Sequence, residues 1–377
     1  MNELGRNHFI KRWWRIIDQQ IIIALAILFC FSLMLVTTAS PAVASRIGLT
    51  ENYFSSRHFF YLLVATSLIL FFSFFDRKWI KRFAIIGFLG SLAMLIMVKF
   101  NGYEVKGAKR WISIYGFSCQ PSEFIKPFFA VVIGWILSLR YQEEFPSFRI
   151  SIFLYILVIF LLIMQPDFGM VVLLTAVTMV QFFAAGMPII WFIVAIFSGI
   201  IGIITSYFFM PHVANRINSY LDPASSENYQ VNKSILAFEH GGMYGRGPGE
   251  GAIKQTLPDS HADFIFAVAG EEFGAIICLM IISVFAFIVL RSLFRLLKED
   301  DKFVQFAAIG LITQFGLQAI INIGVTLNLL PTKGMTLPFI SYGGSSMFAS
   351  SIAIGMLIGL TKRETSLIKY RIKNIDI

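Results

Sequence analysis

The residues with most chemistry to offer are ionisable side chains standing where apolar runs begin. Asp263 opens one such run, reached through Leu257-Pro258-Asp259-Ser260-His261-Ala262. A carboxylate at a water–lipid boundary can take a proton from a hydroxyl as a general base, or it can simply cap a helix. Two further helix starts carry the same mixture: Gln120-Pro121-Ser122-Glu123 and Gln165-Pro166-Asp167-Phe168-Gly169. In each, proline suits the first helical position and the carboxylate follows where the helix dipole favours negative charge, so structural and chemical uses both stand open. Lys126 follows Glu123 by three residues and shares its helix face. A Glu and Lys pair inside a membrane is costly unless it lines a polar cavity, which marks a functional site.

The elements that must hold these groups are membrane helices. Of 377 residues, 57% are hydrophobic and 14% charged, and 40 are Phe; mean hydropathy is +0.74. A water-soluble domain cannot hide that much apolar surface. The chain divides into ten apolar runs near 18–40, 58–75, 83–98, 121–139, 150–164, 167–185, 188–209, 263–291, 303–330 and 340–361, each close to the roughly twenty residues a spanning helix needs. This predicts an all-α polytopic membrane protein of one domain over 1–377, with tails 1–17 and 362–377 and a long loop 210–262 between the seventh and eighth helices. The first run follows Lys11, Arg12 and Arg15 like a signal peptide, but it is long and lacks a clear small-residue cleavage site, so it reads as a retained helix.

With both termini in the cytoplasm, inside segments hold 19 of the 31 Lys and Arg residues, which agrees with the positive-inside rule. Glu123, Asp167, Asp263 and the connection from Leu330 to Ser346 then share the outer face. Cations gather there as well: Lys99, Lys106, Lys109 and Arg110 in one short loop, Arg216, Lys233, Arg246 and Lys254 in the long one, and Lys333 in the last. They suit a lipid phosphate or pyrophosphate, or else are merely solvated charges. The glycine-rich stretch Gly241 to Gly251 offers backbone N–H groups to phosphate oxygens, or is a flexible turn. Glu271 and Glu272 lie two turns into the eighth helix, where only one of them can face the same cavity. Cys30, Cys119 and Cys278 support neither a disulfide framework nor a cysteine metal site. The +9 charge is distributed as topology requires, and no nucleic-acid motif accompanies it.

Gly107-Ala108-Lys109-Arg110-Trp111, the two helix starts above, the Asp263 segment with Gly270-Glu271-Glu272-Phe273-Gly274, and Pro331 to Ser346 together resemble the SEDS family of cell-wall proteins. Pro331-Thr332-Lys333-Gly334 followed by Thr336-Leu337-Pro338 resembles its division and sporulation members rather than the elongation form. Asp259 and Ala262 stand where the family's division proteins usually have Glu and Thr.

The resemblance implies a glycosyltransferase that polymerises lipid II into glycan strands at the outer face of the cytoplasmic membrane, at the division septum, releasing undecaprenyl pyrophosphate. It makes Asp263 the catalytic base. Lys333, Glu123, Lys126, Asp167, Arg110, Lys109, Trp111, His261 and Ser345 become substrate-binding or cavity residues. No cofactor is certain, although a divalent cation such as Mg or Mn fits beside a carboxylate. A class B penicillin-binding transpeptidase and other division proteins are the implied partners. Many helices with intramembrane charges also describe a lipid II flippase, which would need polar groups reachable from both faces.

Overall fold

The structure, a computed structural model, describes residues 11–105, 108–114, 117–141, 144–209, 214, 218, 226–331 and 334–362. Lys106, Arg216 and Lys333, with most of both tails, lie outside them.

Among the described residues ten apolar helices follow the apolar runs: α1 (Gln19–Arg46), α2 (Tyr53–Phe74), α3 (Arg77–Asn101), α4 (Pro121–Leu139), α5 (Ser147–Met164), α6 (Phe168–Ala184), α7 (Ile190–Phe209), α9 (Ile265–Leu296), α10 (Lys302–Thr326) and α11 (Gly344–Leu360). Eight are long and apolar enough to cross a membrane by length and composition, whereas α6 and α11 have 17 residues each. The protein is therefore a mostly helical, multi-pass membrane protein. Its outer flanks carry exposed Phe59, Phe60, Leu63, Phe160 and Phe208, a surface that only lipid or another apolar body would cover.

Two kinds of contact order the bundle. At its centre α4 lies against α3, α10 and α11, and is buried nearly all round. Glycine makes this possible: a Cβ on Gly134 would overlap the Ala307 backbone of α10, and one on Gly355 would press on Ile69 and Phe72 of α2. Lipid tails supply no hydrophobic drive between helices, so such close backbone approach is a main source of association. At one end of the bundle, ion pairs tie the termini of elements. Asp18 caps α1 through the Gln20 amide and meets Arg291 and Arg295, each at 2.8 Å. Arg77 bridges Glu299 at 3.0 Å and Asp301 at 3.1 Å.

The opposite end departs from a plain set of loops. The α3–α4 connection, expected to be a short loop, forms an antiparallel sheet of β1 (Tyr103–Val105), β2 (Ala108–Ile114) and β3 (Phe117–Cys119) in the order β1-β2-β3. Trp111 faces Tyr103 in the ladder and Ile112 faces Cys119. β-branched and aromatic residues favour this pairing, which satisfies backbone groups that a connection lying on the bundle would otherwise leave bare. The long loop contains a further helix, α8 (Ser226–Gly241), packed on α9, and a 3-10 turn at Ile253–Gln255.

The glycine-rich stretch serves the fold. α9 breaks at Gly274, with φ 79°. The break frees the carbonyls of Glu271 and Glu272, which accept from the amides of Arg246 and Gly247, both at 3.0 Å. In exchange the amides of Ala275 and Ile276 turn to the carbonyls of Gly242 and Met243, at 2.9 and 3.4 Å. Those loop N–H groups are spliced into a helix and are not presented to a phosphate.

Gly134→Ala should lower the thermal unfolding temperature in detergent, by the equivalent of about 1–3 kcal/mol of overpacking. Gly90→Ala, whose Cβ would meet nothing within 4 Å, should leave it unchanged or raise it slightly.

Candidate active site

Asp263 stands just before α9, half-buried. The cap position itself falls to Phe264, so Asp263 lies one residue outside it. Its peptide and its neighbours are held firmly. The carbonyls of His261, Ala262 and Asp263 accept in turn from the Tyr342 amide at 2.9 Å, the Ser341 hydroxyl at 2.7 Å and the Asn322 carboxamide at 2.8 Å. The carboxylate faces the segment that begins at Gly334: a Cβ on that glycine would sit 3.4 Å from Asp263 Oδ2.

Behind this lies a buried polar chain. Lys126 Nζ donates to Glu123 Oε2 at 2.7 Å and to Gln318 Oε1 at 2.8 Å, and the Lys126 side chain is only 1% exposed. The Gln318 carboxamide passes the chain on to the Thr336 carbonyl at 3.1 Å and the Ser346 hydroxyl at 3.3 Å. Four residues further along α10, Asn322 Nδ2 donates to the carbonyls of Asp263 and Met335, at 2.8 and 2.6 Å. Thus α4, α10, the 334–341 segment and the approach to α9 form one hydrogen-bonded unit.

A second chain runs beside it. Asp167 Oδ2 accepts from Ser122 at 3.1 Å, and Arg110 Nη1 lies 4.0 Å from Asp167 Oδ1. Arg110 also donates to the carbonyls of Gln165 and Pro166, so it pins the turn into α6. Pro166 precedes Asp167, the N-cap of α6, and is not the first helical residue, whereas Pro121 does open α4. Ser345 Oγ accepts from the Gln120 amide at 3.1 Å and donates to the Ser118 carbonyl at 3.3 Å. It therefore joins β3 and α4 to α11. Because Ser122 adjoins Glu123 and Ser345 adjoins Ser346, the two chains share their supports.

The remaining residues named from sequence take separate positions. Lys109 is exposed on β2 opposite Glu104, and Trp111 is half-buried. His261 lies between the rings of Phe54 and Tyr342, at 4.5 and 5.2 Å. Burial first, then neighbouring Tyr61, push the Tyr342 hydroxyl above its ordinary range, so it is a neutral phenol at physiological pH. Lys333 lies outside the described residues. Glu271 accepts from the amides of Ile253 at 2.8 Å and Lys254 at 3.3 Å, while Glu272 pairs with the Lys254 ammonium. Lys254 also donates to the carbonyls of Thr38 and Gly249. Its three N–H donors are spent within the fold, as are both carboxylate oxygens of Glu271, whereas Glu272 uses Oε1 on Lys254 and its Oε2 is buried without a hydrogen-bond partner among the described residues.

Gln318 and Asn322 were missed from sequence. The signal was present, since Gln314, Gln318 and Asn322 recur every four residues on one face of an otherwise apolar helix. Among the described residues no group of three or more His, Cys, Asp or Glu side chains converges as a metal cage would.

Residues 18–366 match the family model of FtsW, RodA and SpoVE, described as a cell cycle protein. The chain belongs to this family. Among its FtsW relatives, a probable peptidoglycan glycosyltransferase FtsW of Caulobacter vibrioides is 40% identical over 93% of this chain and 90% of its own length. Another of the same description, from Idiomarina loihiensis, is 35% identical over 88% and 83%. Solved structures repeat the fold: a chain from a peptidoglycan synthase complex that coordinates polymerization and crosslinking has a TM-score of 0.75 at 23% identity, covering 92% of this chain and 97% of that one. The rod shape determining protein RodA of Thermus thermophilus has 0.70 at 21%, covering 93% and 98%. Of the segments that carry the family resemblance in this chain, Arg110, the two helix starts, Asp263 and residues 334–346 are joined by the two hydrogen-bonded chains, whereas the 270–274 segment is tied to the long loop.

Lys126→Met leaves the Glu123 carboxylate buried without its cation and should cost about 3–5 kcal/mol. Adding Glu123→Gln should recover a large part of that, as read by thermal unfolding of the purified single and double variants.

Proposed function

We propose that this protein is a peptidoglycan glycosyltransferase of the FtsW type, polymerising lipid II into glycan strands at the outer face of the cytoplasmic membrane during division. The observation that carries the reading is the half-buried Asp263 carboxylate, held by three consecutive backbone carbonyls against the 334–341 segment. In this mechanism Asp263 takes the proton of the acceptor GlcNAc 4-hydroxyl as that oxygen attacks C1 of the donor MurNAc. The bond from C1 to the pyrophosphate oxygen breaks and undecaprenyl pyrophosphate departs. One base suffices for a single inverting displacement, whereas glycoside hydrolases normally use two carboxylates.

Negative charge builds on the departing pyrophosphate and calls for cations at the same face. Lys333 and Arg110 are the residues assigned to it, with Lys109 and Trp111 on the adjoining sheet. Lys126 acts from beneath, through Gln318, and does not touch substrate. Glu123, Asp167, His261 and Ser345 shape and support the cavity. A divalent cation would find no ready-made cage among the described residues. It would have to rest on the Asp263 carboxylate together with substrate phosphate oxygens and water, as Mg²⁺ commonly does.

The interior favours transfer at one face over transport across. Below Lys126, α4 continues with Phe129, Ile133 and Leu137, closed against Leu311 and Phe306 of α10 and Phe182 of α6, all buried. Gln181, one of the few polar side chains at that depth, donates its carboxamide nitrogen to the carbonyls of Ala130 and Phe306 at 2.7 and 2.9 Å. A pyrophosphate and sugar would meet an apolar plug there.

On this reading the single membrane domain spans ten times, both termini are cytoplasmic, and the ion-paired end with Asp18 and Arg77 is the inner one. Its partner is a class B penicillin-binding transpeptidase that crosslinks the strands, within the division machinery at the septum.

The test is strand formation from labelled lipid II by the purified protein with its transpeptidase in liposomes, with moenomycin present to silence class A polymerases. Wild type should make polymer; Asp263→Asn and Lys333→Ala should lower the rate at least about 10²-fold while inserting into membranes normally. Polymerisation at the wild-type rate by either variant would remove that residue from the mechanism. No polymer from wild type, with lipid II crossing the bilayer, would make the protein a flippase.

A further inference from the structure

The base is placed by a residue on a different helix. We propose that Asn322 is a positioning residue, its single carboxamide nitrogen fixing the Asp263 carboxylate against the 334–341 segment; the proposal rests on the reading of Asp263 as the base. The hydrogen-bond pattern selects this residue from all those around the site. Of the three consecutive carbonyls at 261–263, the first two are held by Tyr342 and Ser341, which belong to the same stretch of chain. They fix the approach to α9 only relative to that stretch. The third, that of Asp263 itself, is held from α10, and the same nitrogen holds Met335, at 2.8 and 2.6 Å. Asn322 is thus referenced to the rigid bundle and to both strands of the site at once.

The two bonds flank the place where the Asp263 carboxylate meets the 334–341 segment. Asp263 Oδ2 lies 3.4 Å from the position of a Gly334 Cβ, next to Met335, and the clamped carbonyls belong to Asp263 and to Met335. If either peptide rotates, the carboxylate and the Gly334 backbone move apart. Gln318, one turn earlier on the same face, holds the Thr336 carbonyl and links to Lys126 and Glu123. The deep ion pair and the clamp therefore act on adjacent peptides of one segment.

Asparagine suits the task because one –NH2 group carries two hydrogens in a plane. A serine has one hydrogen and a shorter reach. An aspartate presents oxygen to two carbonyl oxygens, and even when protonated it supplies one hydrogen for two acceptors. Asn322 is 1% exposed, so bulk water does not compete for its two bonds.

Misplacing a catalytic group by about 1 Å can cost on the order of 10²-fold in rate. Asn322→Ala and Asn322→Asp should therefore lower kcat for lipid II polymerisation about 10²-fold, with KM within threefold of wild type. Ile312→Ala, buried on the same helix but deeper in the bundle, supplies the control: it should lower the unfolding temperature at least as much and keep kcat. The rate of the Asp variant relative to the Ala variant should rise as pH falls, because a protonated carboxyl regains one of the two bonds. A purely structural role would not move this ratio. Hydrogen exchange on the same proteins needs no turnover, and should quicken in 261–264 and 334–341 of Asn322→Ala while the remainder of α10 is unchanged. Wild-type kcat in both variants, or exchange unchanged in those two segments, would overturn the proposal. Failure of wild type to polymerise would instead remove the assignment of Asp263, and exchange alone would then decide whether the clamp exists.

Discussion

An ammonium buried at the centre of an apolar bundle constrains everything around it. Lys126 is among the largest fully buried side chains, and charge is tolerated at such a place only when it is paired and hydrogen-bonded. Glu123 supplies the charge and Gln318 the second acceptor. That second bond ties α4 to α10, while the other end of the Gln318 carboxamide ties α10 to the 334–341 segment. The requirement to satisfy one cation thus turns three separate pieces of chain into a single support for Asp263. Gly134 is the complementary condition, since α4 and α10 must touch backbone to backbone for the polar chain to close.

The long loop shows the same logic applied to backbone groups. Breaking α9 at Gly274 exposes two carbonyls and two amides, and the glycine-rich stretch replaces each lost partner. Glu271 and Glu272 then anchor the 3-10 turn and Lys254, so this part of the loop is fastened to the helix it precedes. The consequence reaches the site through the chain itself, because the same loop leads directly into His261, Ala262 and Asp263. A fastened loop delivers Asp263 from a fixed origin.

Much of this was legible in the sequence, and the remainder was not for identifiable reasons. Helix type and approximate extent follow from apolar run length, which is a local property; the ends drift because Pro41 lies within α1 and the last run becomes helix only at Gly344. Glu123 with Lys126 could be paired from their spacing alone. The sheet at 103–119 escaped notice because a handful of β-favouring residues beside glycines reads equally as a loop until a ladder forms. Lys254, Glu271 and Glu272 looked available for ligands because their partners lie 18 residues apart or are backbone atoms, which no spacing rule reveals. Asn322 was hidden in the same way, since both groups it serves are carbonyls with no side-chain signature.

The two ends of the bundle also differ in what their charges are for. At one end Arg77, Arg291 and Arg295 face Asp18, Glu299 and Asp301, each cation with a carboxylate from a distant element. Such pairs near water contribute modestly to stability, and their effect here is to register helix ends. At the other end the acids and bases are divided: Glu123 is matched with Lys126 in the interior, whereas Asp263 faces a glycine-led segment at the surface. The charge of Lys126 is neutralised in the interior by Glu123, one helical turn of α10 below the level at which Asn322 holds the Asp263 carbonyl. Separation of these contacts by one helical turn of α10, from Gln318 to Asn322, lets a rigid membrane bundle place the Asp263 carboxylate at its edge without exposing its own buried charge.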